Sequence, residues 1–205
     1  MPAAPKGPKS GVVPSRPSTL DSRPFSTPAA FARWLRANHT KAPDIWIRFA
    51  RKDTGIASIT HDQALDIALA HGWIDAQVRR IDDRWWTQRF TPRGPRSRWS
   101  EINCAKAVAL INQGLMRPAG LARIEEAKAD GRWAQAYAPQ RTIAVPPDLQ
   151  ARLKASPRAR AFFAGLDSKN RYAILYRLHQ ARKPETRIRR LDKFVAMLEA
   201  GETLH

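Results

Sequence analysis

Hydrophobic positions along the chain follow two periods. Phe31, Trp34 and Leu35 recur at helical spacing after Thr27-Pro28, a capping residue followed by proline at the first helical position, and predict an amphipathic helix over 28–38. From Asp44 to Lys52 the period becomes two. Ile45, Ile47 and Phe49 alternate with Trp46, Arg48 and Ala50, which predicts a half-buried strand ended by Asp53-Thr54-Gly55. Thr60 and Gln63 form a capping-box pattern ahead of Ala64, Leu65, Ala68 and Leu69, and Gly72 stands at the C-cap, so a helix over 61–71 follows. The period then returns toward two: Val78 and Ile81, then Trp86, Gln88 and Phe90 against Trp85, Thr87 and Arg89, predict two strands within 76–90 joined near Asp82-Asp83.

Beyond a Pro- and Gly-containing loop at 91–98, TPRGPRSR, the pattern is helical. Ser100 caps a helix that runs through Ile102, Ala105, Val108 and Ile111 to Gly114, and Pro118 opens another that ends at Gly131. Residues 139–147 read as a linker. After it come a short helix at 148–154, one from Ser156-Pro157, one capped by Ser168, and one from Pro184 to Gly201 with Ile188, Leu191, Val195 and Leu198 on a stripe. The expected fold class is α+β: a small sheet packed by helices, followed by a helical C-terminal module. The expected division is an α+β domain at 25–138, the linker at 139–147, and the module at 148–205. Residues 1–24 hold six of the sixteen prolines among Ser, Gly, Lys and Arg, a mixture too poor in apolar area to offset its ordering entropy. We expect them to form a disordered basic tail.

Charge changes the picture. Lys and Arg number 36 against 18 Asp and Glu, giving +18, and 26 of the 36 are arginine. Such a surplus favours anionic partners, although it also arises from a drift in composition. The surplus is densest where it meets aromatics. The stretch 71–103 holds four of the seven tryptophans and seven arginines. Arginine stems can bury over rings while their heads stay wet, and guanidiniums can also fork onto carboxylates or phosphates. The candidate partner-binding residues there are Trp73, Asp75, Arg79, Arg89, Arg93, Arg96, Trp99, Ser100 and Asn103. A second basic run lies at 182–190, where Lys183, Arg187 and Arg190 fall at three- and four-residue spacing next to a helix start and so can present charge together.

The chemistry-bearing residues make no catalytic motif. No two of the five histidines have metal-ligand spacing, and His61 and His71 bracket a helix. Asp75, Asp82 and Asp83 lie close to arginines, so charge neutralisation and turn formation explain them more cheaply than acid–base work. Gly-rich phosphate loops, nucleophile elbows and His-Glu-x-x-His helices are absent from the sequence. No catalytic residue, cofactor or metal is assigned. No run approaches the length of a membrane span. The single Cys104 and the lack of an apolar run after the first lysines lead us to expect a cytoplasmic protein.

Several blocks, in order, resemble one family. They are Trp34-Leu35 with Asn38-His39, IWIRFARK at 45–52, GWID at 72–75, QRFTPR at 88–93, SRWSEIN at 97–103, NRYAILYR at 170–177 and ARKPETRIRRL at 181–191. Together they resemble the bacterial YdeI/OmpD-associated, or bacteriocin-protection, family over about residues 25–205, and the last block also resembles the end of small YdhG-like domains. The resemblance implies protection against bacteriocins or cationic peptides and association with an outer-membrane porin, and it transfers no reaction, cofactor or catalytic residue. Three functions follow as expectations: a non-enzymatic protection protein that binds an anionic or acidic partner, a sequence-tolerant nucleic-acid-binding protein, or an enzyme using the 72–103 surface. A sponge for cationic peptides is physically poor, because a chain at +18 repels them.

Overall fold

The computed structural model describes residues 22–205. The fold is α+β, and its contacts divide the chain into two compact units, one ending at Arg93 and one from Gly94 to His205.

The first unit runs β1 (Ser22–Pro24), α1 (Pro28–Asn38), β2 (Ile45–Ala50), α2 (His61–Ala70), β3 (Trp73–Arg80) and β4 (Trp85–Pro92). Its sheet has the order β1-β2-β4-β3, with β1 parallel to β2 and the other pairs antiparallel. Local chemistry sets each boundary. The Thr27 hydroxyl accepts from Ala30 N, and Thr60 and Gln63 complete a reciprocal capping box. The β3–β4 turn has no Asn-Gly; Asp82 replaces it by accepting from Arg84 N and Trp85 N, both at 2.8 Å. Phe31 and Leu35 of α1 and Ala64 and Ala68 of α2 bury against Ile45, Ile47, Phe49, Trp73 and Phe90 of the sheet. Each large apolar side chain so buried contributes about 1.5–3 kcal/mol.

Ser22–Pro24 is an edge strand and not the end of a tail: Ser22 is 5 % exposed and pairs with Trp46, and Arg48 donates to its hydroxyl and carbonyl oxygens. Proline is tolerated there because an edge strand can spare an N–H. The rest of the expected tail, 1–21, lies outside the described residues.

The second unit contains α3 (Glu101–Asn112), α4 (Pro118–Ala129), α5 (Pro147–Ala155), α6 (Pro157–Gly165), α7 (Ser168–His179) and α8 (Pro184–Ala200). Leu149, Phe163, Ile174, Leu178, Leu191, Phe194 and Leu198 form its main core. The cap of α7 is Asp167, which accepts from Asn170 N at 2.6 Å, and not Ser168. The expected linker lies inside this unit, where Ile143 and Val145 pack on the core. The units part instead at 93/94, within the Trp/Arg-rich stretch.

Candidate anion-binding cleft

Three segments of the second unit build one basic cleft. The first is the loop after Arg93. Ser97 N donates to Gly94 O at 2.9 Å and Gly94 N to the Ser97 hydroxyl at 3.0 Å, a turn that leaves Arg96 and Arg98 exposed. Its far end is anchored by Trp99, 2 % exposed, with its ring 4.8 Å from that of Trp133. Backbone hydrogen bonds from Tyr137 N to Trp99 O and from Glu101 N to Tyr137 O fasten the same point. Arg98 donates to the Tyr176 hydroxyl at 3.1 Å, which aims its stem across α7.

The second segment is the turn after α4. Gly131 sits at φ 77, a left-handed conformation that glycine adopts without strain, and so Arg132 folds back on Asp130. Its Nε donates to both carboxylate oxygens at 2.7 and 2.9 Å, and its Nη1 donates to Ser97 O at 2.8 Å. This guanidinium therefore fixes the first segment to the second. The Arg132 hydrogen bond, with attraction from Arg182 adding to it, holds the Asp130 carboxyl below the usual carboxylate range against the opposing pull of burial.

The third segment is the α7–α8 connection, with His179 and Gln180 at the end of α7 and Arg182 and Lys183 before α8. Together the three segments line two adjoining cavities of about 380 and 420 Å³. Arg98, Arg132, Gln180 and Arg182 belong to both; His179 and Gln135 line the first alone, and Arg96, Lys183 and Thr186 the second alone. Five cationic side chains thus face the cleft against a single lining acid, Asp130. Concave basic walls focus field lines, and guanidinium forks match carboxylate and phosphate oxygens, so the arrangement is suited to holding anions.

The sequence-derived candidates divide sharply. Arg96, Trp99 and Lys183 line this cleft. Ser100 accepts from Asn103 N as the cap of α3, and Asn103 is buried. Arg187 forks onto Asp148 and donates to Leu178 O, while Arg190 donates to Arg177 O, so both brace the helices instead of facing the cleft. The Arg187 hydrogen bond depresses the Asp148 pKa, and the Arg187 pKa is raised in return. The remaining candidates belong to the first unit. Arg79 lies 4.5 Å over the Trp46 ring, Arg89 pairs with Asp44 at 2.6 Å, and Arg93 is 3 % exposed. Trp73 is buried with its Nε1 donating to His39 O at 3.1 Å.

Sequence reasoning did not select Arg98, Arg132, His179, Gln180 or Arg182 for the site. The Asp130-Gly131 dipeptide, a turn signal that returns the chain on itself, was the one local hint of Arg132. Asp75 finds a different set of partners in the first unit. Its Oδ2 accepts from Gln88 Nε2 at 2.8 Å and lies 3.3 Å from His61 Nε2, without the directionality of a hydrogen bond to the ring. His61 packs by the Phe49, Trp86 and Phe90 rings at the edge of a cavity of about 540 Å³. Among the described residues no three of His, Cys, Asp and Glu gather as metal ligands, and no helix is long and apolar enough to cross a membrane.

No curated protein and no solved structure matches the chain. Residues 23–123, which include the blocks from Trp34 to Asn103, match the family described as Domain of unknown function (DUF8412). Residues 142–201 carry the NRYAILYR and ARKPETRIRRL blocks and hold α5 to α8. This segment matches the family described as Bacteriocin-protection, YdeI or OmpD-Associated, the family that the sequence resembles.

Proposed function

We propose that the chain is a protein of the YdeI/OmpD-associated bacteriocin-protection type that acts by binding an anionic or acidic partner through the cleft of its second unit. The observation that carries this reading is the convergence of Arg96, Arg98, Arg132, Arg182 and Lys183 from three separate segments onto one concavity with one acid among them. A drift in composition scatters arginines; it does not bring them from positions far apart in sequence to a common wall. Arg132, its Nε and Nη1 fixed by Asp130 and Ser97, is oriented before any ligand arrives, which lowers the ordering cost of binding. The reading also suits a chain at +18, which attracts anionic partners and repels cationic peptides. The nucleic-acid alternative loses support at Trp99, whose ring is buried against Trp133 and offers no face for a base to stack on. We place the activity in the cytoplasm, where a lone cysteine stays reduced.

The test is calorimetric titration of the full chain with orthophosphate and with a glutamate-rich peptide, at low and at physiological salt. Either anion should bind, more weakly at the higher salt, and Arg98→Ala with Arg182→Ala should abolish the binding. The paired control Arg158→Ala with Arg160→Ala, on the exposed side of α6, removes the same charge and should leave binding intact. Failure of both anions to bind, or equal losses in the two double variants, contradicts the proposal.

A further inference from the structure

The cleft has two lobes, and its charge exceeds what one anionic group can offset. We propose that its ligand carries two phosphate groups, one for each lobe; this rests on the cleft being the binding site, as argued above.

At about 380 and 420 Å³, each lobe has room for roughly a dozen water molecules, so a single small ion would leave one lobe to solvent. The two lobes also share donors. Arg98, Arg132, Gln180 and Arg182 stand between the lobes and face both, so two groups bound side by side would share them. Each lobe also has donors of its own: His179 and Gln135 in the first, Arg96, Lys183 and Thr186 in the second. A paired ligand would engage both sets at once.

Charge decides between phosphate and carboxylate. Five cationic side chains, counting lysine and arginine alone, against Asp130 leave an excess of four positive charges along the lining. A phosphate monoester brings roughly −1.5 to −2 at neutral pH, so one group offsets at most about half of the excess and two offset about three-quarters or more of it. Two carboxylates would offset only half. Asp130 is compatible with an anionic ligand. Its carboxylate is held ionised by Arg132 and orients that guanidinium, whose Nη2 makes no hydrogen bond within the described residues and remains available to the ligand.

The experiment is calorimetry on the full chain at constant ionic strength with four probes. They are orthophosphate, inorganic pyrophosphate, fructose 1,6-bisphosphate and succinate, which separate adjacent from spaced phosphates and phosphate from carboxylate. The better of the two paired phosphates should bind at least about tenfold more tightly than orthophosphate and than succinate. In Arg96→Ala with Lys183→Ala, which strips the second lobe of its own cations, that advantage should vanish, so that paired and single phosphates bind alike. Equal affinities for paired and single phosphates, or an advantage unchanged in the double variant, would overturn the inference. If orthophosphate or the acidic peptide still binds through Arg98 and Arg182 in that event, the anion-binding function stands and only the pairing falls. If no anion binds, both fall.

Discussion

Replacing Trp99 by alanine separates the structural part of the cleft from its binding part. The indole is 2 % exposed and packs at 4.8 Å on Trp133, so the substitution removes a fully buried ring and leaves a hole between the loop at 94–98 and the turn at 131–133. A buried aromatic covers about 150–250 Å². At roughly 25 cal/mol per Å² its burial contributes about 4–6 kcal/mol, an upper bound because alanine keeps part of that area. Truncations of this kind cost about 3–5 kcal/mol. In a unit of this size each kcal/mol moves the midpoint by several degrees, so the unit's melting temperature should fall by roughly 10–20 °C. Scanning calorimetry of the full chain reads this directly, and Trp99→Phe, which refills most of the hole, should recover more than half of the loss. A Trp99→Ala protein that melts as wild type but no longer binds anions would refute the assignment and make the indole a recognition surface.

Three further perturbations test the scaffold. Arg187→Met should destabilise the second unit by about 1 kcal/mol, a modest figure because the Asp148 pair is about a third exposed, measurable by urea denaturation. The folded-state pKa of Asp148 is depressed, so the stability this pair contributes is present above the unfolded carboxylate value near 4 and is lost as pH falls through the depressed one. The wild-type advantage over Arg187→Met should therefore shrink in acid, and an advantage that grows there would contradict the assignment. Thr60→Ala should cost about 1 kcal/mol in the first unit through loss of the α2 cap, with Gln63→Ala adding less than its separate effect because the two bonds form one box.

Much of the fold was legible because caps and periods are local. Thr27-Pro28, Thr60 with Gln63, Ser100, Pro184 and Gly201 mark helix ends that need no tertiary partner to be recognised. Ser22–Pro24 was not legible, since three residues with a proline become a strand only through pairing with Trp46 and Arg48. The break at 93/94 falls in the Pro- and Gly-containing loop TPRGPRSR, and the proline-bounded 139–147 has a similar composition, yet Ile143 and Val145 are held by the core. The cleft was half legible. Arg96 and Arg98 of the loop line the cleft with Arg182 and Lys183 of the second basic run, but helical spacing singled out Arg187 and Arg190, which face inward to Asp148 and the Arg177 carbonyl. Arg182, just before the helix, lines the cleft instead. Arg132 reaches it through a bond to Ser97, thirty-five positions away, which no local pattern encodes.

The most direct test of the central claim is nuclear magnetic resonance of the arginine Nε–Hε groups during titration with pyrophosphate. The account predicts that Arg96, Arg98, Arg132 and Arg182 shift together along one saturable curve, while Arg187 and Arg190 stay still. Movement of Arg79 and Arg89 or of Arg187 and Arg190, with the cleft arginines unchanged, would contradict it.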